Sequence, residues 1–157
     1  MVYIIKINVD GGCRANGQPG SIACAAAAFK DENGKYYGKK TEALPSFPRP
    51  TNQQAEITAV ILGLEMALER YDQLSSTPWL DVTIYSDSAF AVNCMTKWVV
   101  KWIKNGWTNS KGHEVANQDL IKKAVDLDNR LKEEGDRADH FCQRGYSNGL
   151  GGQVTHN

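Results

Sequence analysis

Between residues 2 and 9 apolar side chains fall on every second position, with Tyr3, Ile5, Ile7 and Val9 on one face. Period-two alternation of β-branched and aromatic residues predicts a strand over Val2–Val9, stopped by Asp10-Gly11-Gly12. Ile22–Phe29 and Tyr36–Glu42 are two further strand-like runs, and Asp31-Glu32-Asn33-Gly34 lies between them. Asn-Gly flanked by apolar runs is a strong hairpin signal, so three antiparallel strands are expected to open the chain. Pro45, Pro48 and Pro50 then mark a loop. From Thr51, a residue that caps helices, the spacing changes: Ile57, Val60, Ile61, Leu64, Ala67 and Leu68 recur at helical intervals and predict one buried stripe.

Ser75-Ser76-Thr77-Pro78 breaks the pattern ahead of a strand at Val82–Tyr85. Short helices are expected over Ser88–Met95 and Trp98–Lys104, a longer one over Gln118–Glu133, and a last strand over Arg137–Cys142. The order βββαβαααβ describes an α/β domain with a mixed sheet. A chain of 157 residues suits one such domain and can bury a real core. No repeat, low-complexity tract or long linker divides it, so residues 1–157 are expected to form a single domain.

Composition adds little until it is localised. The formal net charge is zero, so bulk charge does not announce a polyanionic partner. Residues 97–111, however, carry Lys97, Lys101, Lys104 and Lys111 with no acid among them. Three of the four tryptophans, Trp98, Trp102 and Trp107, fall in the same stretch. Lysines interleaved with indoles suit a nucleic-acid backbone and its bases. The four cysteines, Cys13, Cys24, Cys94 and Cys142, form no CxxC pair and no His/Cys zinc spacing, which favours a reducing compartment. No apolar stretch reaches membrane-spanning length and the N-terminus lacks signal-peptide layout. Cytoplasm or nucleus, no membrane association and a monomeric state are the expectations.

Three acids stand out by position: Asp10 after an apolar strand, Glu56 in the first turn of a helix, and Asp87 after a second apolar strand. Each has an ordinary role when taken alone. Asp-Gly is common turn chemistry, an acid suits a helix N-terminus, and Asp87 could cap the next helix. Together, converging carboxylates collect divalent cations, and beside a lysine and tryptophan run they point to metal-dependent phosphodiester cleavage.

Several blocks then resemble a known family. They are Asp10-Gly11-Gly12-Cys13-Arg14-Ala15-Asn16-Gly17, Arg49-Pro50-Thr51-Asn52-Gln53-Gln54-Ala55-Glu56 and Tyr85-Ser86-Asp87-Ser88. Trp98-Val99-Val100-Lys101-Trp102-Ile103-Lys104-Asn105-Gly106-Trp107 and Gly112-His113-Glu114-Val115-Ala116-Asn117 continue the match. In this order they resemble the catalytic domain of ribonuclease H type 1, of the eukaryotic kind, over roughly residues 2–135. The resemblance implies a ribonuclease H-like fold with a five-stranded mixed sheet flanked by helices. It also implies hydrolysis of the RNA strand of RNA–DNA hybrids by an endoribonuclease.

By position Asp10, Glu56 and Asp87 match three of the family's four acids that hold two Mg²⁺ ions, with Mn²⁺ as a substitute. The resemblance assigns RNA-strand contacts to Cys13, Asn16, Asn52, Gln53 and Glu56. It assigns a DNA-strand phosphate to Arg49, Thr51 and Asn117, and the DNA channel to Trp98, Trp102 and Ser110. The tail at 136–157 departs from the family pattern. Matched on Gly-x-Ser, Tyr146 takes the place of a mobile histidine and His156 that of the fourth acid; a shifted gap puts Gly152 there instead. Neither placement supplies a carboxylate. His156 is a candidate ligand that would favour Mn²⁺ or Zn²⁺ over Mg²⁺. A hybrid-binding module with weak or lost catalysis is therefore the competing expectation, and a nuclease acting on DNA alone a third.

Overall fold

The computed structural model describes residues 2–16, 18–134 and 141–143. The elements run β1 (Val2–Arg14), β2 (Ile22–Lys30), β3 (Tyr36–Ala43), α1 (Asn52–Asp72), β4 (Trp79–Ser86) and α2 (Ala89–Asn93). A π-helical turn (Cys94–Trp98), α3 (Val99–Asn105), α4 (Gln118–Glu133) and β5 (Phe141–Gln143) follow. The five strands lie in the order β3-β2-β1-β4-β5. β1–β2 and β2–β3 pair antiparallel, while β1–β4 and β4–β5 pair parallel. The mixed sheet expected from the sequence is thus present, its first three strands antiparallel.

The hairpin between β2 and β3 closes as its residues dictate. Gly34 takes a positive φ of 78°, and Asp31 Oδ1 accepts from the backbone N–H groups of Asn33 and Lys35. Alternation then sorts each strand. Ile5, Ile7 and Val9, Ala23, Ala25 and Ala27, and Leu80, Val82 and Ile84 all face α1 and are buried. Among the described elements, the helices that pack on the central strands lie on this side. Val2, Ile4, Ile22 and Trp79 remain exposed.

α1 is buried beyond the predicted stripe. Ile57, Val60, Ile61, Leu64, Ala67 and Leu68 are buried as expected, but so are Thr58, Ala59, Leu62, Gly63 and Met66. The reason is that α4 covers the flank away from the sheet with Ile121, Ala124 and Leu131, each fully buried. α1 therefore runs between two layers rather than along a surface.

Three boundaries differ from the pattern-based expectation. β1 does not stop at Asp10-Gly11-Gly12 but continues to Arg14, pairing with β2 from Ile7↔Phe29 to Arg14↔Ile22. Gly11 is there because α1 crosses it: a Cβ at Gly11 would lie 2.1 Å from the Ala55 carbonyl oxygen and 2.6 Å from Glu56 N. Glycine here serves close backbone approach, not strand termination. The two helices expected at 88–95 and 98–104 are joined without a break, because the π-helical turn carries the chain from Asn93 to Val99. The last strand lies at Phe141–Gln143, and residues 137–140 of its expected range lie outside the described residues.

Candidate active site

The parallel pairing of β1 and β4 ends at Val9↔Ser86. Asp10 is the next residue of β1 and Asp87 the first residue after β4, so the two acids follow paired positions at a fork. Neighbouring strands are about 4.8 Å apart, which sets the scale of their separation. Both are exposed. Beyond the fork β1 stays zipped to β2, with Asp10 opposite Ala26, while the chain after β4 turns away into α2. Ser88 N-caps α2, its hydroxyl accepting from Ala91 N at 3.1 Å, so Ser88 and not Asp87 provides that cap.

Glu56 reaches the same corner from the helix. Its backbone lies over Gly11, the neighbour of Asp10, so close that a Cβ on Gly11 would come within 2.6 Å of its N atom. Strand register and one helix crossing thus set the backbones of the three acids near one corner of the sheet. Among the described residues, no three acid, histidine or cysteine side chains close on a single point as a ready ligand cage. The groups these three acids offer are carboxylates, with Asp10 and Asp87 exposed and Glu56 half-buried. That fits a hard ion such as Mg²⁺, which keeps several waters and is bound through few protein carboxylates plus substrate phosphates. It does not fit a closed zinc site.

Cys94, named from the sequence only among the four cysteines, is fully buried close to the Glu56 charge. Burial pushes its pKa up to about 12, with the Glu56 charge adding to the shift. It is a packing residue and not a nucleophile.

Three of the five RNA-strand candidates, Cys13, Asn16 and Asn52, form one hydrogen-bonded group. Asn52 Oδ1 accepts from Cys13 N at 2.7 Å, and Asn16 Oδ1 accepts from Asn52 N at 3.0 Å. The Cys13 thiol donates to the Pro50 carbonyl at 3.3 Å. With both amide oxygens engaged, the NH₂ groups of Asn16 and Asn52 are the ends left to meet a ligand. Asn16, Thr51, Gln53, Ala116 and Asn117 line a shallow cleft of about 420 Å³. Two residues assigned to the RNA strand and two assigned to the DNA strand therefore share one concavity. Arg49 is exposed on the loop just before it.

Gln54, absent from the sequence-based site, ties this cleft together. Thr51 and Gln54 form a reciprocal capping box, and Gln54 Nε2 donates to Asn117 Oδ1 at 3.2 Å. The Thr-x-x-Gln spacing was a readable signal for the box. The bond to Asn117 was not readable from local sequence.

The tryptophan segment is neither plain core nor plain groove. Phe90, Trp98, Trp102 and Trp107 form a ladder with ring centroids 6.0, 6.1 and 5.9 Å apart. Each indole is half-buried against the core, while Lys97, Lys101 and Lys104 are exposed. Lys122 Nζ lies 5.1 Å from the Trp107 ring centroid. Ser110 is exposed in the loop after Trp107, held by Asn109 Oδ1 accepting from Lys111 N and His113 N. Tyr146 and His156, the tail candidates, lie outside the described residues.

A sheet in this order, with acids at the β1/β4 fork and a long helix across it, is a ribonuclease H-like domain. A profile of the RNase H family matches residues 4–133. Ribonuclease H of Syntrophomonas wolfei is 34% identical over 149 residues, covering 89% of this chain and 91% of that one. The chain belongs to the ribonuclease H family, metal-dependent hydrolases that act on RNA–DNA hybrids. Solved structures agree on the fold. The PFV RNase H domain superposes with a TM-score of 0.65 at 16% identity, covering 96% of this chain and 84% of that one. LC11-RNase H1, solved in complex with RNA/DNA hybrid, gives a TM-score of 0.55 at 20% identity, covering 91% and 86%.

Proposed function

We propose that this chain cleaves the RNA strand of RNA–DNA hybrids at the β1/β4 fork, with Asp10, Glu56 and Asp87 as its metal-holding carboxylates. The observation that carries the proposal is the register Val9↔Ser86, which puts two of the acids abreast, with Glu56 brought over Gly11. Two Mg²⁺ ions, or Mn²⁺ in their place, would supply an activated water and neutralise the departing 3′ oxygen.

The chain's own residues account for the rest. Glu56, in the first turn of α1, is placed to accept from a ribose 2′-OH as well as to hold a cation; that hydroxyl is what marks RNA at a given site. Cys13, Asn16, Asn52 and Gln53 flank the RNA strand, and the side-chain amides of the last three present N–H groups to it. Arg49, Thr51 and Asn117 hold a phosphate of the DNA strand across the shared cleft. Trp98, Trp102 and Ser110 line the DNA strand's further path, and the exposed lysines beside the indoles neutralise its backbone.

A hybrid-binding module with weak or lost catalysis is the competing reading, because residues 144–157 contain no Asp or Glu. One assay separates the two. Labelled hybrid, duplex RNA and duplex DNA are incubated with Mg²⁺ or Mn²⁺, wild type beside Asp87→Asn. The expected result is cleavage of the hybrid's RNA strand alone. Asp87→Asn should slow it by at least about a hundredfold, since even groups one shell out from a metal cost 10–100-fold. Hybrid left intact in both metals, yet bound in a salt-sensitive way, would leave the binding module standing.

A further inference from the structure

The cleft shared by Asn16, Thr51, Gln53, Ala116 and Asn117 has a built-in donor sense, and one backbone N–H sets it. Thr51 N–H can only donate, and its partner at 3.1 Å is Gln54 Oε1. That fixes the Gln54 amide, so the end facing Asn117 at 3.2 Å is the NH₂. An NH₂ needs an acceptor, so the Asn117 atom facing it is Oδ1, and the Asn117 NH₂ is turned away with both N–H bonds free. Thr51 Oγ1 meanwhile accepts from Gln54 N at 3.3 Å, which leaves its hydroxyl hydrogen free to donate.

A second observation stands apart from this relay. Asn117 is the N-cap of α4, yet its side chain makes no capping hydrogen bond, and its backbone is left-handed at φ 59°, ψ 24°. An asparagine at that position ordinarily spends its oxygen on a first-turn N–H of its own helix. Here the oxygen goes to Gln54, 63 positions away in sequence, and the first turn of α4 is left without a side-chain cap. The local preference of Asn117 has been overridden in favour of the long-range bond.

We propose that Gln54 is a positioning residue for the DNA-strand phosphate. It holds the Thr51 hydroxyl and the Asn117 amide so that both point donors, never acceptors, at the anion. This role rests on the hybrid-cleaving reading above. It makes a sharp contrast between glutamine and glutamate at position 54. A glutamate keeps the capping box, since a carboxylate accepts from Thr51 N equally well. It has no N–H for Asn117, so the Asn117 NH₂ must turn back toward the carboxylate and present its oxygen to the phosphate.

The test uses the full chain and reads three quantities: melting temperature, kcat and KM on labelled hybrid in Mg²⁺, and hybrid affinity in Ca²⁺. Gln54→Glu is expected to keep the wild-type melting temperature and to raise KM by about tenfold or more, kcat moving much less. Gln54→Met removes both bonds without adding charge, and should raise KM too, with a lower melting temperature from the lost box. If Gln54 works through Asn117, then Asn117→Ala combined with Gln54→Glu is no worse than the more damaging single change. A KM for Gln54→Glu within about twofold of wild type overturns the proposal, as does full multiplication of the two single effects. A wild-type chain that cleaves no hybrid would instead indict the hybrid-cleaving reading. The affinities in Ca²⁺ would then decide the role of Gln54 by the same comparison.

Discussion

α1 meets β1 through a glycine at two places, and the two contacts are of different kinds. In the middle of the helix Gly63 faces the sheet, and an added Cβ would lie 2.7 Å from Val9 Cγ1 and 3.5 Å from Ile7 Cγ2. Those neighbours are side-chain methyl groups in an apolar layer, which must shift to admit a methyl, at a cost in packing rather than in backbone position. At the first turn the glycine is on the strand instead. Gly11 lies against the Ala55 carbonyl, with backbone atoms at 2.1, 2.3 and 2.6 Å from a hypothetical methyl. Around it run polar ties: the Thr51–Gln54 box, Cys13 to Asn52, and Asn52 to Asn16. The middle of α1 is held by replaceable volume and its start by backbone position. The same helix thus supplies the core at one level and Glu56 at the other.

This division can be broken experimentally. Gly11→Ala should push the first turn of α1 off β1 and carry Glu56 with it. A displacement of 1 Å can cost about a hundredfold in rate, so hybrid cleavage should fall at least that far even at temperatures where circular dichroism shows a folded chain. Gly63→Ala should behave in the opposite way. Overpacking at that site costs roughly 1–3 kcal/mol, read as a lower urea midpoint, while activity per folded molecule is kept. Equal loss of activity in both variants would erase the distinction.

A third effect, silent at neutral pH, concerns Cys94, buried within reach of the Glu56 charge. Its thiol is held neutral in the folded chain up to about pH 12, whereas an exposed cysteine ionises near 8.5. Above that lower value the unfolded chain loses a proton that the folded chain keeps. Stability should therefore decline as pH rises from about 9 toward 12, by roughly 1 kcal/mol per pH unit from this group. Cys94→Ala should flatten that alkaline slope in denaturant titrations followed by fluorescence. It should leave stability below pH 8 free of any such trend.

The sequence made α4 legible to the residue, and the β2–β3 hairpin nearly so, because each rests on local chemistry. The bounds expected for the first, Gln118–Glu133, are those observed, and Asn33-Gly34 with Asp31 set the second. Local chemistry also misled at Gly11-Gly12, where glycine read as a strand breaker serves a helix that arrives forty residues later. The π-helical turn at Cys94–Trp98 left no local mark, since Thr96-Lys97 looks like an ordinary joint. In the site, Asp10, Glu56 and Asp87 could be named from position, but what brings their backbones to one corner is the parallel register of β1 with β4 and the crossing of α1 over Gly11. Gln54 was visible as a capping residue and invisible as a partner of Asn117. The bond it makes there belongs to tertiary packing.

The fork at Val9 and Ser86 has a mechanical side. Asp10 is riveted by ladder rungs that run on past it to Arg14, so its main chain cannot shift without unzipping a stretch of sheet. Asp87 rides on a bend with no such backing. On the hybrid-cleaving reading proposed above, the first carboxylate is an anvil when a polyanion and its counter-ions are fitted, and the adjustment falls to the second.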